Sequence, residues 1–96
     1  AGVLAGDVLR DLGRRVAELR AARGMTQEQF AEAGDFAVQY LQRVEGGREN
    51  LTVRSLVRLA NLLHVSIPDL FAKPALRSVR PGRPRATPTT PPRRQR

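Results

Sequence analysis

Val38, Gln39, Gln42 and Arg43 lie on one stripe of a short segment, Val38 to Glu45, whose opposite stripe is the apolar pair Leu41 and Val44. The glutamine amide carries a donor and an acceptor that match an adenine edge, and the arginine fork matches guanine. Such side chains one turn apart on a helix suit the reading of base edges in a DNA major groove. A solvated helix face would show the same residues. The element in front of the stripe decides between the two.

That element is a second short helix. Thr26 stands three positions before Gln29, the spacing of a capping box. The helix should run from about Gln27 to Ala33 with Phe30 and Ala31 facing inward. Gly34 and Asp35 make the turn, Phe36 plugs the core beneath it, and Gly46 and Gly47 end the next helix, since glycine reaches left-handed conformations freely. Two short helices joined by a turn of about three or four residues form a helix-turn-helix, whose second helix enters the major groove. In that setting the polar stripe is a DNA-contacting face. Ala37 and Val38 are small enough to approach a thymine methyl group.

The remaining elements complete an all-α reading. Leu9, Leu12, Val16 and Leu19 recur at helical spacing, which predicts an amphipathic helix over 7–22 with Asp7 as N-cap and Gly24 as its stop. Arg48 to Leu51 form a loop. Thr52 caps a fourth helix buried through Leu56, Leu59, Ala60 and Leu63, and Ser66 caps a fifth in which Leu70 and Phe71 close the core. The chain has 96 residues, 41% of them hydrophobic, enough for one small core. It has no cysteine, and so no disulfide or thiolate site. No apolar run reaches the roughly 20 residues of a membrane span. Asp7, Arg10 and Asp11 interrupt any signal-peptide order at the start. A cytoplasmic protein is expected.

Charge is distributed unevenly. Residues 1–71 carry nine arginines and no lysine against nine acids, whereas residues 72–96 carry Lys73 and seven arginines with no acid. The whole net charge of +8 therefore lies in the tail, which also holds six of the seven prolines. This composition predicts a domain over 1–72 and a disordered basic arm over 73–96. A neutral body with a polycationic arm suits a polyanion; a purely solubilising tail is the alternative.

With these residues in view, the chain resembles the Cro/repressor-type helix-turn-helix DNA-binding family. The match is carried by LGRRVAELR (12–20), GMTQEQFAE (24–32), YLQRVEGGREN (40–50) and SLVRLANLLHVSIPDLF (55–71). The resemblance implies a compact five-helix repressor-like domain with residues 37–45 as recognition helix. It implies base contacts by Ala37, Val38, Gln39, Gln42 and Arg43, and DNA-backbone contacts by Gln27, Arg48, Asn50 and Arg54. By the same carry-over Gln27 braces Gln39, and Arg20 with Glu45 forms a partly buried ion pair. Asp35 stands where the family usually has glycine, and Leu51 where a proline often follows. Ala37 replaces the usual Ser or Thr cap, a loss of about 1 kcal/mol unless Asp35 substitutes. In the tail, Arg80 and Arg85 flank a core of Gly82, Arg83 and Pro84 that resembles an AT-hook, a minor-groove element, with Pro81 where an arginine usually precedes the glycine.

Other chemistries find no support. His64 is the sole histidine and has no neighbouring acid cluster, so no metal is expected. Ser55 and Ser66 have no base at hand, so no nucleophilic catalysis and no cofactor are expected. The function expected is that of a bacterial transcriptional regulator, a repressor binding double-stranded operator DNA as a homodimer. Leu51 and Val53 are candidates for the dimer contact. No sensor pattern within the sequence implies a small-molecule effector. The alternative is an antitoxin or other protein-interaction module using the same fold to bind a protein such as a toxin.

Overall fold

Five helices make up the computed structural model, which describes residues 2–75: α1 (Ala5–Ala22), α2 (Gln27–Gly34), α3 (Val38–Glu45), α4 (Val53–Leu63) and α5 (Ile67–Leu70). No strand occurs among the described residues, and the fold is all-α. Three of the five helices, α2, α4 and α5, start on a hydroxyl cap. The Thr26 hydroxyl accepts from the Gln29 N–H at 3.0 Å, and Gln29 Oε1 accepts from the Thr26 N–H at 2.9 Å. Thr52 accepts from Ser55 N–H to open α4, and Ser66 forms a second capping box with Asp69. Each cap satisfies donors that a first turn leaves without an intrahelical partner.

Three local expectations are corrected. The N-cap of α1 is Leu4, without a side-chain hydrogen bond, and Asp7 lies inside the first turn paired with Arg10. Its charge there faces the positive end of the helix dipole, so Asp7 supports the helix without beginning it. Only Gly47 of the glycine pair after α3 is left-handed (φ 73°); Gly46 caps the helix at φ −86°. Phe71 does not close the core, since it is 47% exposed while Leu70 is fully buried. Successive helical residues are rotated by about 100°, so a one-turn α5 that points Leu70 inward turns Phe71 out.

The core gathers Leu12 and Val16 of α1, Phe30 of α2, Leu41 and Val44 of α3, Leu59, Ala60 and Leu63 of α4, and Leu70. Burying one of the leucine, valine or phenylalanine side chains contributes about 1.5–3 kcal/mol. Phe36, half-buried, stands edge-on to both Phe30 and Tyr40, with ring centroids 6.0 and 5.4 Å apart. It ties the turn to the core.

Gly13 sets how closely α1 and α3 approach. A Cβ at this position would lie 2.4 Å from the Val44 carbonyl oxygen and 2.7 Å from that of Glu45, both backbone atoms. Gly13→Ala gains up to about 1 kcal/mol of helix propensity but forces the helices apart, at a cost of about 1–3 kcal/mol. Net destabilisation is expected in a thermal melt. Gly6→Ala is the control, since its Cβ would meet nothing nearer than 3.6 Å; that variant should gain stability through propensity alone.

Candidate nucleic-acid interface

The turn before α3 is fixed from three sides. Asp35 takes the left-handed conformation (φ 59°, ψ 49°), which short polar residues tolerate better than most. Its N–H donates to the Glu32 carbonyl at 3.1 Å, and the Phe36 N–H donates to that of Ala31 at 3.0 Å. Arg58 of α4 donates to the Gly34 carbonyl at 3.2 Å. Ala37 then begins α3 in an extended conformation without a side-chain cap.

From that start α3 buries Leu41 and Val44, at 0% and 2% exposure. Ala37, Gln39, Gln42 and Arg43 are exposed and Val38 is half-buried. Arg48 and Asn50, in the loop after α3, and Arg54, in the first turn of α4, are exposed as well. Arg80, Arg83 and Arg85 lie outside the described residues.

A buried carboxylate organises the rear of the interface. Glu45 accepts from Arg20 Nε at 2.7 Å and Nη2 at 3.1 Å, joining α1 to the end of α3. Arg20 also donates through Nη1 to the Met25 carbonyl at 2.7 Å. The hydrogen bond to Glu45 holds the Arg20 guanidinium above its ordinary pKa; burial opposes this, and the charges of Glu45 and Glu28 reinforce it. The amide nitrogen of Gln27 donates to Glu45 Oε1 at 2.9 Å. This amide hydrogen is therefore engaged by Glu45 at the end of α3. A carboxylate with free lone pairs outcompetes a neutral amide for a nearby donor.

Arg43 also has a partner. Its Nε donates to Glu49 Oε1 at 2.8 Å, and its guanidinium carbon lies 5.9 Å from the centroid of the Tyr40 ring. The sequence pattern singles out neither Glu49 nor Tyr40. A six-residue separation across a helix end matches no helical pairing rule, so no local pattern announces this ion pair.

The family model described as "Helix-turn-helix domain" matches residues 11–72. The chain belongs to this helix-turn-helix family. One relative is the HTH-type transcriptional regulator y4dJ of Sinorhizobium fredii, 41% identical over 64 residues that cover 67% of this chain and 83% of the relative. Another is the control protein C.SmaI of Serratia marcescens, 31% identical over 72 residues, covering 75% and 86%. Among solved structures, the restriction-modification controller protein C.AhdI of Aeromonas hydrophila superposes with a TM-score of 0.62 at 33% identity. That match covers 66% of this chain and 96% of the other. These helix-turn-helix relatives are regulators and not enzymes, and the chain is a DNA-binding transcription regulator of the Cro/repressor type. Among its described residues no helix is long and apolar enough to cross a membrane, and no cluster of three His, Cys, Asp or Glu side chains is placed to hold a metal.

Proposed function

We propose that this regulator recognises a specific operator in double-stranded DNA, as a homodimer acting as a repressor in the bacterial cytoplasm, with α3 in the major groove. The observation that carries this reading is the exposed stripe of Gln39, Gln42 and Arg43 on a helix anchored by the buried Leu41 and Val44. Ala37 and Val38 approach thymine methyl groups at the front of the helix, and the two glutamines and the arginine read adenine and guanine edges. Arg48, Asn50 and Arg54 hold the DNA backbone, with the remaining amide hydrogen of Gln27 reaching a phosphate. These contacts set register and carry no sequence information themselves. Residues 1–72 form the reading domain, and residues 73–96, including Arg80, Arg83 and Arg85, form a cationic arm along the same DNA.

The dimer is proposed because one eight-residue helix spans only about 12 Å and reads few base pairs alone. Two copies on half-sites about one helical turn apart supply the missing base pairs. Val53 is 75% exposed and Val57 44% exposed on α4, and these are the apolar residues proposed to meet in the dimer. Leu51, the other candidate, is half-buried against its own core.

Selection of bound duplexes from a random pool tests the reading. Gln39→Ala and Arg43→Ala should each cost about 1–3 kcal/mol on the selected site and relax preference at one base pair. Arg48→Ala should weaken all sequences about equally. Specific binding that survives all three changes would remove α3 from the groove, and a footprint with a single unrepeated half-site would remove the dimer.

A further inference from the structure

Among the described residues, Arg43 is the one proposed base-reading side chain held by other side chains before DNA arrives. Glu49 takes its Nε–H at 2.8 Å, and the Tyr40 ring lies beside the guanidinium. Both partners are set by the fold. Glu49 belongs to the loop that leaves α3, and Tyr40 is packed edge-on against Phe36, itself packed against the core. A guanidinium carries five donors in a planar fork. Engaging Nε leaves the two terminal amino groups, and these are the pair that reaches O6 and N7 of guanine end-on.

The carboxylate acts in two ways. An arginine held in one orientation has less rotamer freedom left to lose, so more of its hydrogen bonding to the correct base appears as affinity. The ion pair also removes most of the attraction of Arg43 for phosphate in general, because Glu49 brings a negative charge to a surface that faces a polyanion. A neutral pair gains little from DNA of the wrong sequence. We propose that Glu49 is a specificity-determining residue, which presents Arg43 to a guanine and suppresses its non-specific binding. This rests on the reading of α3 given above.

The test uses the full chain and the duplex selected by the wild type, together with its three variants at the base pair that Arg43→Ala relaxes. Wild type should prefer one base pair there by about tenfold or more, with guanine facing Arg43. Glu49→Ala should reduce that ratio several-fold at this position only, while tightening binding to unrelated duplexes. Glu49→Gln keeps an acceptor for Nε without the charge, so it should preserve most of the base preference yet share the tighter non-specific binding. The Arg43→Ala/Glu49→Ala double variant should match Arg43→Ala in base preference. A half-exposed pair contributes little to stability, so the melting temperature of Glu49→Ala should barely move. Unchanged preference with uniformly tighter binding would reduce Glu49 to a repelling charge and overturn the proposal. Preference lost at every position with a lowered melting temperature would make Glu49 a support for the loop, and would overturn it too. Arg43→Ala relaxing no position is a distinct outcome, and it overturns the base-reading role of Arg43 together with the proposal.

Discussion

Glu45→Ala is expected to lower the melting temperature by more than about 10 °C. The carboxylate accepts three hydrogen bonds, two from Arg20 and one from Gln27, in a site where the Arg20 and Glu45 side chains are 16% and 9% exposed. Truncating it leaves the guanidinium charged and largely out of water, since no working pH neutralises an arginine. Breaking a buried pair from one side costs about 3–5 kcal/mol, and the residual solvent contact of this pair puts its cost at the low end, about 3 kcal/mol. For a domain of this size each kcal/mol shifts the midpoint by about 4–8 °C. Glu45→Gln retains acceptor capacity and should lose less. Replacing Arg20 by Met and Glu45 by Leu together should also lose less than Glu45→Ala, because no charge is then stranded. Melts followed by circular dichroism compare all three. A shift below about 2 °C for Glu45→Ala would mean that water screens the cluster.

The parts of the fold legible in the sequence are those set by neighbours in the chain. Thr26 and Gln29 announce a capping box because both partners lie within one turn, and α3 ends where Gly46 and Gly47 succeed Glu45. The burial of Leu41 and Val44 follows from helical spacing alone, and this also turns Gln39, Gln42 and Arg43 outward. Contacts between distant segments leave no such trace. Gly13 reads as a weak point in an amphipathic helix until the carbonyls of Val44 and Glu45 are seen against it. The ion pair between Arg20 and Glu45 is implied only by the family resemblance, since no spacing rule links residues 25 apart. The choice of Gln27 for Glu45, and of Glu49 for Arg43, depends on where loops bring a carboxylate. At α1 and Phe71 local signals gave the wrong answer. A good N-cap type at Asp7 did not stop the chain from winding earlier, and an apolar residue next to Leu70 had no core left to face.

Removing residues 73–96 is expected to change DNA binding more than any point substitution, and to change it in salt dependence more than in specificity. Residues 1–71 are neutral overall, with nine arginines against nine acids, while Lys73 and seven arginines supply the whole charge of +8. Each engaged phosphate contributes a slope near 0.9 in log affinity against log salt. Eight cations engaging up to about eight phosphates would add a slope of about 7, or about four decades of affinity between 50 and 200 mM salt. Even half that engagement leaves about two decades. Truncation should therefore flatten the salt dependence and weaken binding to random DNA strongly. The ratio of operator to random binding should survive, because the proposed base-reading residues lie on α3 in the neutral body. A tail that only solubilises would leave the slope unchanged on deletion. Arg80, Arg83 and Arg85 acting as a minor-groove hook would instead cost discrimination between A·T-rich and G·C-rich flanks, since the narrow A·T-rich groove concentrates negative potential. Binding of the full and truncated chains at several salt concentrations, on operators with either kind of flank, separates these outcomes. The slope measures how many phosphates the arm engages, and the flank preference measures whether it reads the groove.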